Sequence, residues 1–136
     1  MNSWLYPISK RSGYYFVDTR RRVRTSYESF RDFVFPGRIK DRGWGVYHNF
    51  DKVCLGDELF IYTGDGDHGI IGYAKVVGKI IQTQRVVIRL DQAKTKRLLA
   101  DPVPARKVRP LIPPPRASLV NLEGGIREIR NFFPGI

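Results

Sequence analysis

The sequence has few of the residues on which most small catalytic and metal sites depend. It contains one cysteine, Cys54, and two histidines, His48 and His68, among 136 residues. A single cysteine excludes an internal disulfide and a cysteine-rich zinc site. Two histidines without a matching nucleophile and acid give little support to triad-type catalysis. The apolar neighbours Val53 and Leu55 favour a buried, structural Cys54 over a reactive one.

Long apolar runs are also missing. No stretch approaches the ~18–20 apolar residues of a membrane-spanning helix, and the first residues lack the charged-then-apolar pattern of a secretory signal. We therefore expect a cytoplasmic protein that does not enter a membrane. With 42% apolar and 12% aromatic residues, the chain is large enough to bury a real core. We expect one domain over residues 1–136, monomeric, either alone or as one module of a longer protein.

Acidic residues are scarce relative to basic ones. The chain has 13 Asp and Glu against 24 Lys and Arg, a net charge of +11. The excess lies in two segments, a first arm (residues 10–24) with six cations and one anion, and a second arm (residues 94–116) with seven and one. Cations that neutralise phosphates release counterions and give affinity for nucleic acid without sequence selectivity. The expected phosphate-binding residues are Lys10, Arg11, Arg20, Arg21, Arg22, Arg24, Lys94, Lys96, Arg97, Arg106, Lys107, Arg109 and Arg116.

Short aromatic and β-branched runs separated by turn residues predict a strand-rich fold. The predicted strands are residues 4–6, 14–17, 58–63, 70–81, 85–90 and 117–122. The predicted helices are residues 27–34, with Thr25 and Glu28 at capping-box spacing, 91–99 and 126–133. Six prolines between Pro102 and Pro115 predict an extended connector without a regular element. The pattern indicates an α+β fold, a small, partly closed β-barrel of about five to six strands with short flanking helices.

The acidic centre of the chain offers two arrangements for chemistry, and neither is convincing. Asp65, Asp67 and His68 are metal-ligand types, but glycines between acids also suit a tight hairpin loop, and no distant ligand completes the set. Asp57 and Glu58 are adjacent in a predicted strand and so face opposite sides. We expect no catalytic residue, no metal and no cofactor.

Several short motifs follow one another in order along nearly the whole chain. They are residues 4–6 (WLY), 43–49 (GWGVYHN), 53–57 (VCLGD), 59–62 (LFIY), 69–76 (GIIGYAKV), 99–102 (LADP) and 116–120 (RASLV). In order and spacing this series resembles the EVE domain, a member of the PUA-like superfamily that also contains YTH domains. The resemblance implies a PUA-like barrel with an aromatic pocket for one flipped base, often a modified one such as methylated or hydroxymethylated cytosine in DNA.

The resemblance also implies which side chains line that pocket. Trp44, Asn49, Tyr62 and Thr63 match pocket positions of the family, and Tyr47 is a further aromatic candidate for stacking on the base. The alternatives from the residues alone stay open: a core role for the tryptophan, either face for Tyr47, and a turn or cap role for the asparagine.

The chain departs from the family pattern at three places. Pro7 and Ile8 stand where Lys-Ser is common, Gly45 replaces an acid after the tryptophan, and His48 replaces an arginine before the asparagine. The first two departures concern polar groups that would read the base edge, so they leave the identity of the base open.

These observations predict a non-catalytic nucleic-acid reader, with DNA favoured over RNA. In the EVE family such domains occur beside nuclease or motor domains of restriction systems, so a partner domain of that kind is expected. Three alternatives remain: an RNA-binding PUA-like domain, a protein-interaction module with a vestigial pocket, and a catalytic member of the wider superfamily such as a metal-dependent nuclease.

Overall fold

The computed structural model describes residues 1–9, 13–16, 20–112 and 119–135. The strands are β1 (Ser3–Pro7), β2 (Tyr14–Phe16), β3 (Arg22–Arg24), β4 (Asp41–Gly45), β5 (Glu58–Thr63), β6 (Gly69–Ile80), β7 (Arg85–Leu90) and β8 (Val120–Asn121). The helices are α1 (Tyr27–Ser29), which continues into a π-helical turn (Phe30–Val34), α2 (Gln92–Ala100), α3 (Ala105–Val108) and α4 (Ile126–Phe132). Short 3-10 turns occupy Phe50–Lys52, Asp65–Asp67 and Arg109–Leu111.

Six of the strands form one mixed sheet in the order β4-β7-β6-β5-β1-β8, and β2 and β3 form a separate hairpin. Among these described strands, β1 and β5 form a parallel pair and the other neighbours in the sheet are antiparallel. The predicted α+β class with short helices is therefore confirmed. The edge strands of the sheet are β4 and β8.

The central strands bury both of their faces. In β5, Leu59 and Ile61 enter one hydrophobic cluster, whereas Phe60 and Tyr62 enter another. Successive side chains of a strand point to opposite faces, so the sheet carries a core on each side. The first core includes Trp4, Phe30, Trp44, Leu59, Ile61 and Val86. The second core includes Phe60, Tyr62, Leu98, Val108 and Ile129, so α2, α3 and α4 cover it.

The sheet curves around the first core. The Tyr6 hydroxyl in β1 donates a 2.7 Å hydrogen bond to the carbonyl oxygen of Gly45 in β4. In sheet order three strands separate β1 from β4, and in a flat sheet four strand spacings would hold them about 19 Å apart. The curvature therefore brings the aromatic side chain of Tyr6 against the edge strand β4.

Most sequence predictions of secondary structure are confirmed. β5 and β7 have the predicted bounds, and β6 is shifted by one residue. Asp91 caps α2, its carboxylate accepting a 3.0 Å hydrogen bond from the Lys94 amide. The predicted cap of α1 is wrong by one residue, because Ser26 and Ser29 form the reciprocal capping pair. Val17 and residues 117–118, at the ends of two predicted strands, lie outside the described residues.

The prediction of an irregular connector from Pro102 to Pro115 is wrong over residues 105–111, and Pro113 to Pro115 lie outside the described residues. α3 follows Pro104 directly, and Pro110 lies in the first turn of the 3-10 segment Arg109–Leu111. Proline is tolerated in the first turn of a helix because its missing N–H would have no partner there. These prolines therefore begin short helical segments.

The prediction that Cys54 is buried is also wrong, because its thiol is exposed. The preceding Val53 is the residue that enters the first core, with 1% of its surface exposed. Its extended backbone sends the next side chain to the other side. The apolar residues around Cys54 therefore indicate the burial of Val53 correctly, but they do not indicate the exposure of Cys54.

Asp57 and Glu58 face opposite cores, as predicted from strand alternation. The Asp57 carboxylate accepts hydrogen bonds from the Trp4 indole (3.0 Å), the Asn2 amide (3.0 Å) and the Cys54 amide (2.9 Å). Burial on its own would raise the pKa of Asp57, but these hydrogen bonds together hold that pKa below its usual value. Asp57 therefore serves as an ionised anchor for the start of β1.

Glu58 is 1% exposed and lies on the side of the second core. Its carboxylate accepts a 2.7 Å hydrogen bond from the Tyr73 hydroxyl and is paired with the Arg130 guanidinium of α4 and the Ser3 hydroxyl. Burial, followed by the hydrogen bond to Glu58, raises the pKa of Tyr73. This carboxylate joins the terminal helix to the sheet.

Candidate functional site

A cavity of about 400 Å³ opens beside the edge strand β4. Five aromatic residues contribute to its lining, namely Tyr6, Tyr14, Tyr15, Trp44 and Tyr47, and Arg85 adds a cation. Its volume is within the ~300–1,000 Å³ of typical small-ligand sites. Because the walls come from β1, from the β2–β3 hairpin and from β4, the cavity depends on the curvature of the sheet.

Of the three inner rings, Tyr6, Tyr15 and Trp44, the Trp44 ring packs against the other two. The ring centroid of Trp44 lies 4.8 Å from that of Tyr6 and 5.6 Å from that of Tyr15, both distances typical of aromatic pairs. Along β4, buried and exposed residues alternate, so the exposed Gly43 and Gly45 flank the buried Trp44. Trp44 is therefore a core residue and a wall of the cavity at once, with 6% of its surface exposed.

The inner phenols are held in neutral form. Burial raises the pKa of Tyr6 to about 12, against the opposing effect of the Arg85 cation. Burial also raises the pKa of Tyr15, whose buried hydroxyl has no hydrogen-bond partner among the described residues. At neutral pH the cavity therefore presents flat, uncharged rings.

The β2–β3 hairpin brings part of the first arm to the cavity. Tyr14 is 47% exposed, and the guanidinium carbons of Arg22 and Arg24 lie 4.5 and 5.1 Å from its ring centroid. An Arg24 nitrogen also donates a 3.0 Å hydrogen bond to the Tyr14 hydroxyl. Arg20 and Arg21 are exposed just before β3. Lys10 and Arg11 lie outside the described residues.

The second arm lies on the other side of the sheet. Its cations are carried by α2 and α3, whose buried Leu98 and Val108 pack in the second core. Those cations are Lys94, Lys96 and Arg97 of α2, Arg106 and Lys107 of α3, and Arg109 of the following turn. Arg116 lies outside the described residues. In the described parts of the two arms, the cations of the first adjoin the cavity, whereas those of the second lie across the sheet from it.

Three of the five predicted pocket residues lie outside this cavity. Tyr62 packs in the second core, on the face opposite Trp44, and the fully buried Thr63 accepts a 3.2 Å hydrogen bond from the Asp65 amide. Asn49 has a left-handed backbone (φ 64°), and its amide donates a 3.1 Å hydrogen bond to the Leu119 carbonyl oxygen. Tyr62 and Thr63 are enclosed because β5 is a central strand buried on both faces. Asn49 lies in a turn.

Trp44 and Tyr47 are the predicted pocket residues that the structure does bring to the cavity. Tyr6, Tyr15 and Arg85, which share it, were not selected from the sequence. Strand alternation in Trp4-Leu5-Tyr6 places Tyr6 on the same face as Trp4. This alternation was the one feature of the sequence that could have indicated Tyr6 as a cavity residue. Nothing local marks Tyr15, because its contact with Trp44 joins residues far apart in the chain.

Two of the three residues considered as metal ligands, Asp67 and His68, have other partners. The Asp67 carboxylate pairs with the Arg106 side chain and accepts a 2.8 Å hydrogen bond from its amide. The His68 ring lies parallel to the Tyr27 ring at 3.6 Å. Across residues 1–9, 13–16, 20–112 and 119–135, no three His, Cys, Asp or Glu side chains lie close enough to hold a metal ion. The same part of the chain contains no helix with the length and apolar character needed to cross a bilayer.

No family model, no curated protein and no solved structure matches the chain. The cavity and the charges beside it are therefore the features that bear on function.

Proposed function

We propose that the protein is a non-catalytic nucleic-acid-binding domain that takes one flipped base into the cavity beside Trp44. The observation that carries the proposal is a 400 Å³ cavity lined by five aromatic residues with arginines at its rim. Taking a base out of its stack costs a few kcal/mol. Stacking on an aromatic side chain returns ~1–3 kcal/mol per base, so two of the inner rings are enough to offset that cost.

The charges beside the cavity support the same proposal. Tyr14 lines the cavity, and Arg22 and Arg24 lie over its ring. A nucleotide whose base enters the cavity has its phosphates just outside, where these guanidinium groups are exposed. Arginine suits this position because its planar fork binds phosphate oxygens in pairs. The cavity would hold the base while the first arm holds the backbone.

We further propose that the curved sheet is the partly closed PUA-like barrel of an EVE domain. The hydrogen bond from Tyr6 to Gly45 supports this, because it links strands that are well separated in sheet order. Two motifs that carry the resemblance, residues 4–6 and 43–49, supply adjoining walls of the cavity. They would therefore serve the same purpose here as in that family.

The proposed ligand is a modified base in DNA, such as methylated or hydroxymethylated cytosine. Burying one methyl group contributes only ~0.8 kcal/mol, roughly a fourfold preference. A larger preference requires either a cavity whose shape fits the modified base alone or a hydrogen bond to the added group. RNA of the same sequence is the natural comparison ligand.

The salt dependence of binding tests the assignment of the phosphate contacts. Exchanging Arg22 and Arg24 for glutamine should reduce the slope of log K against log salt by about 0.9 for each phosphate that is no longer neutralised. The measurement is fluorescence anisotropy with a short labelled DNA over a range of salt concentrations.

A charge-matched control is available in the second arm. Exchanging Lys96 and Lys107 for glutamine removes the same charge from the other side of the sheet, and we expect a smaller change in slope. A wild-type affinity that does not respond to salt would contradict the proposal. If exchanging the two lysines changes the slope more than exchanging the two arginines does, the second arm makes the phosphate contacts.

A further inference from the structure

We infer that the tip of the β6–β7 hairpin is a wedge that enters duplex DNA and fills the space left by the flipped base. This inference rests on the proposed function and narrows its ligand to a duplex. The tip consists of Ile80, which ends β6, and the turn of residues 81–84.

The register of the sheet places this tip beside the cavity. Gly45 of β4 pairs with Arg85 of β7, and Arg85 pairs with Ile80 of β6. Neighbouring strands are about 4.8 Å apart, so the Ile80 backbone lies about 10 Å from Gly45. The Val46 amide also donates a 2.9 Å hydrogen bond to the Gln84 carbonyl oxygen. The tip is therefore held at a short, fixed distance from a residue that lines the cavity.

The side chains at the tip suit a partner made of stacked bases. Ile81 is 74% exposed and Ile80 is 40% exposed, and the remaining turn residues, 82–84, are polar and uncharged. Single exposed apolar residues are ordinary. Here, however, two adjacent isoleucines lie at the same end of the strands as Tyr47, which is 82% exposed. Aliphatic side chains are the groups that DNA-bending proteins insert between base steps.

The hairpin is also stiff enough to act as a wedge. β6 pairs with β5 over its first part, as far as Lys75, and with β7 from Ala74 to Ile80 at the tip. Close to the tip, the Lys79 ammonium group donates a 2.9 Å hydrogen bond to the Val53 carbonyl oxygen. An aliphatic group on such a support can separate bases without bending away.

A wedge has a purpose only in a duplex. In a single strand the bases are already able to leave their neighbours, and sequence-specific RNA readers mostly use such unpaired bases. In a duplex the extruded base leaves a gap that exposes the neighbouring pairs. An inserted isoleucine covers those faces and keeps the base from returning.

The experiment compares two probes and two variants. The probes are a short DNA duplex with one methylated cytosine and the single strand that carries the same cytosine. Ile81→Ala alters an exposed turn residue and so leaves the fold intact, and Leu55→Ala is the matched control because Leu55 is 66% exposed and does not line the cavity. We expect Ile81→Ala to weaken duplex binding about tenfold and to leave single-strand binding within about twofold, whereas Leu55→Ala changes neither.

The outcomes separate the wedge from the proposed function. Suppose that the wild type binds both probes, and that Ile81→Ala either leaves duplex binding unchanged or weakens both interactions equally. The wedge inference is then wrong, but the proposed nucleic-acid-binding function is not contradicted. If the wild type binds only the single strand, the wedge is likewise wrong. If it binds neither probe at low salt, the proposed function fails and the wedge fails with it.

Discussion

Replacing Trp44 by alanine is expected to weaken the binding of a methylated DNA oligonucleotide by about 5- to 150-fold, the range of the ~1–3 kcal/mol that stacking on one aromatic side chain provides. Trp44 is also part of the first core, where it contacts Tyr6 and Tyr15. Its truncation should therefore also lower the free energy of unfolding by ~3–5 kcal/mol. Anisotropy titration and urea unfolding measure the two effects.

The other tryptophan provides the control that separates binding from stability. Trp4 lies in the same core, is completely buried, and does not line the cavity. Trp4→Phe and Trp44→Phe should both remain folded with reduced stability, but only Trp44→Phe should weaken binding. If these two variants bind the oligonucleotide with equal affinity, Trp44 is not part of the binding site.

Replacing Arg130 by methionine is expected to lower the free energy of unfolding by about 2 kcal/mol. The value lies between those for exposed and fully buried ion pairs, because the Arg130 side chain is 35% exposed. The partner, Glu58, is 1% exposed, and without the guanidinium its charge would keep only the Tyr73 and Ser3 hydroxyls as partners. Urea unfolding at neutral pH measures the decrease. Combining Arg130→Met with Glu58→Gln should recover part of it, because the amide carries no buried charge.

Arg127 is the matched control for this prediction. It lies on the same helix, α4, and is exposed. Arg127→Met should change stability by less than about 0.5 kcal/mol, as is usual for surface substitutions. If Arg130→Met were equally mild, the Glu58 carboxylate would not depend on Arg130.

The strands that could be predicted from sequence are those with a strong local pattern. β5 consists mostly of aliphatic and aromatic residues, and β7 of aliphatic residues with an arginine at two positions. Their bounds follow from that composition. β4, which carries Trp44, was not predicted, because Asp41–Gly45 contains two glycines and two charged residues. It is a strand because it pairs with β7 along its full length. Pairing with a distant strand outweighs a weak local preference.

The candidate site was predictable only in part, for a related reason. Trp44 and Tyr47 share one motif and could be selected together, but the Tyr6 and Tyr15 walls come from separate segments that only the curved sheet brings to Trp44. Tyr62 was placed in the pocket by resemblance, yet the alternation of β5 turns it to the second core. The second arm shows the same limit, since its charges are close in sequence but lie on helices across the sheet.

The proposed function depends most on whether a base occupies the cavity, and obstructing the cavity tests this directly. Gly45 lies on the exposed face of β4 and lines the cavity. A Cβ there would meet no atom within 4 Å, so Gly45→Leu can add bulk at the mouth of the cavity without disturbing the core. Gly124→Leu is the control, because a Cβ there also meets no atom within 4 Å and Gly124 does not line the cavity.

The measurement is the affinity of the wild type and both variants for matched DNA oligonucleotides that differ only in methylation of one cytosine. We expect the wild type and Gly124→Leu to prefer the methylated oligonucleotide, and Gly45→Leu to lose that preference together with at least about tenfold in affinity. If Gly45→Leu binds and discriminates as the wild type does, the base does not enter the cavity beside Trp44, and the central claim is wrong.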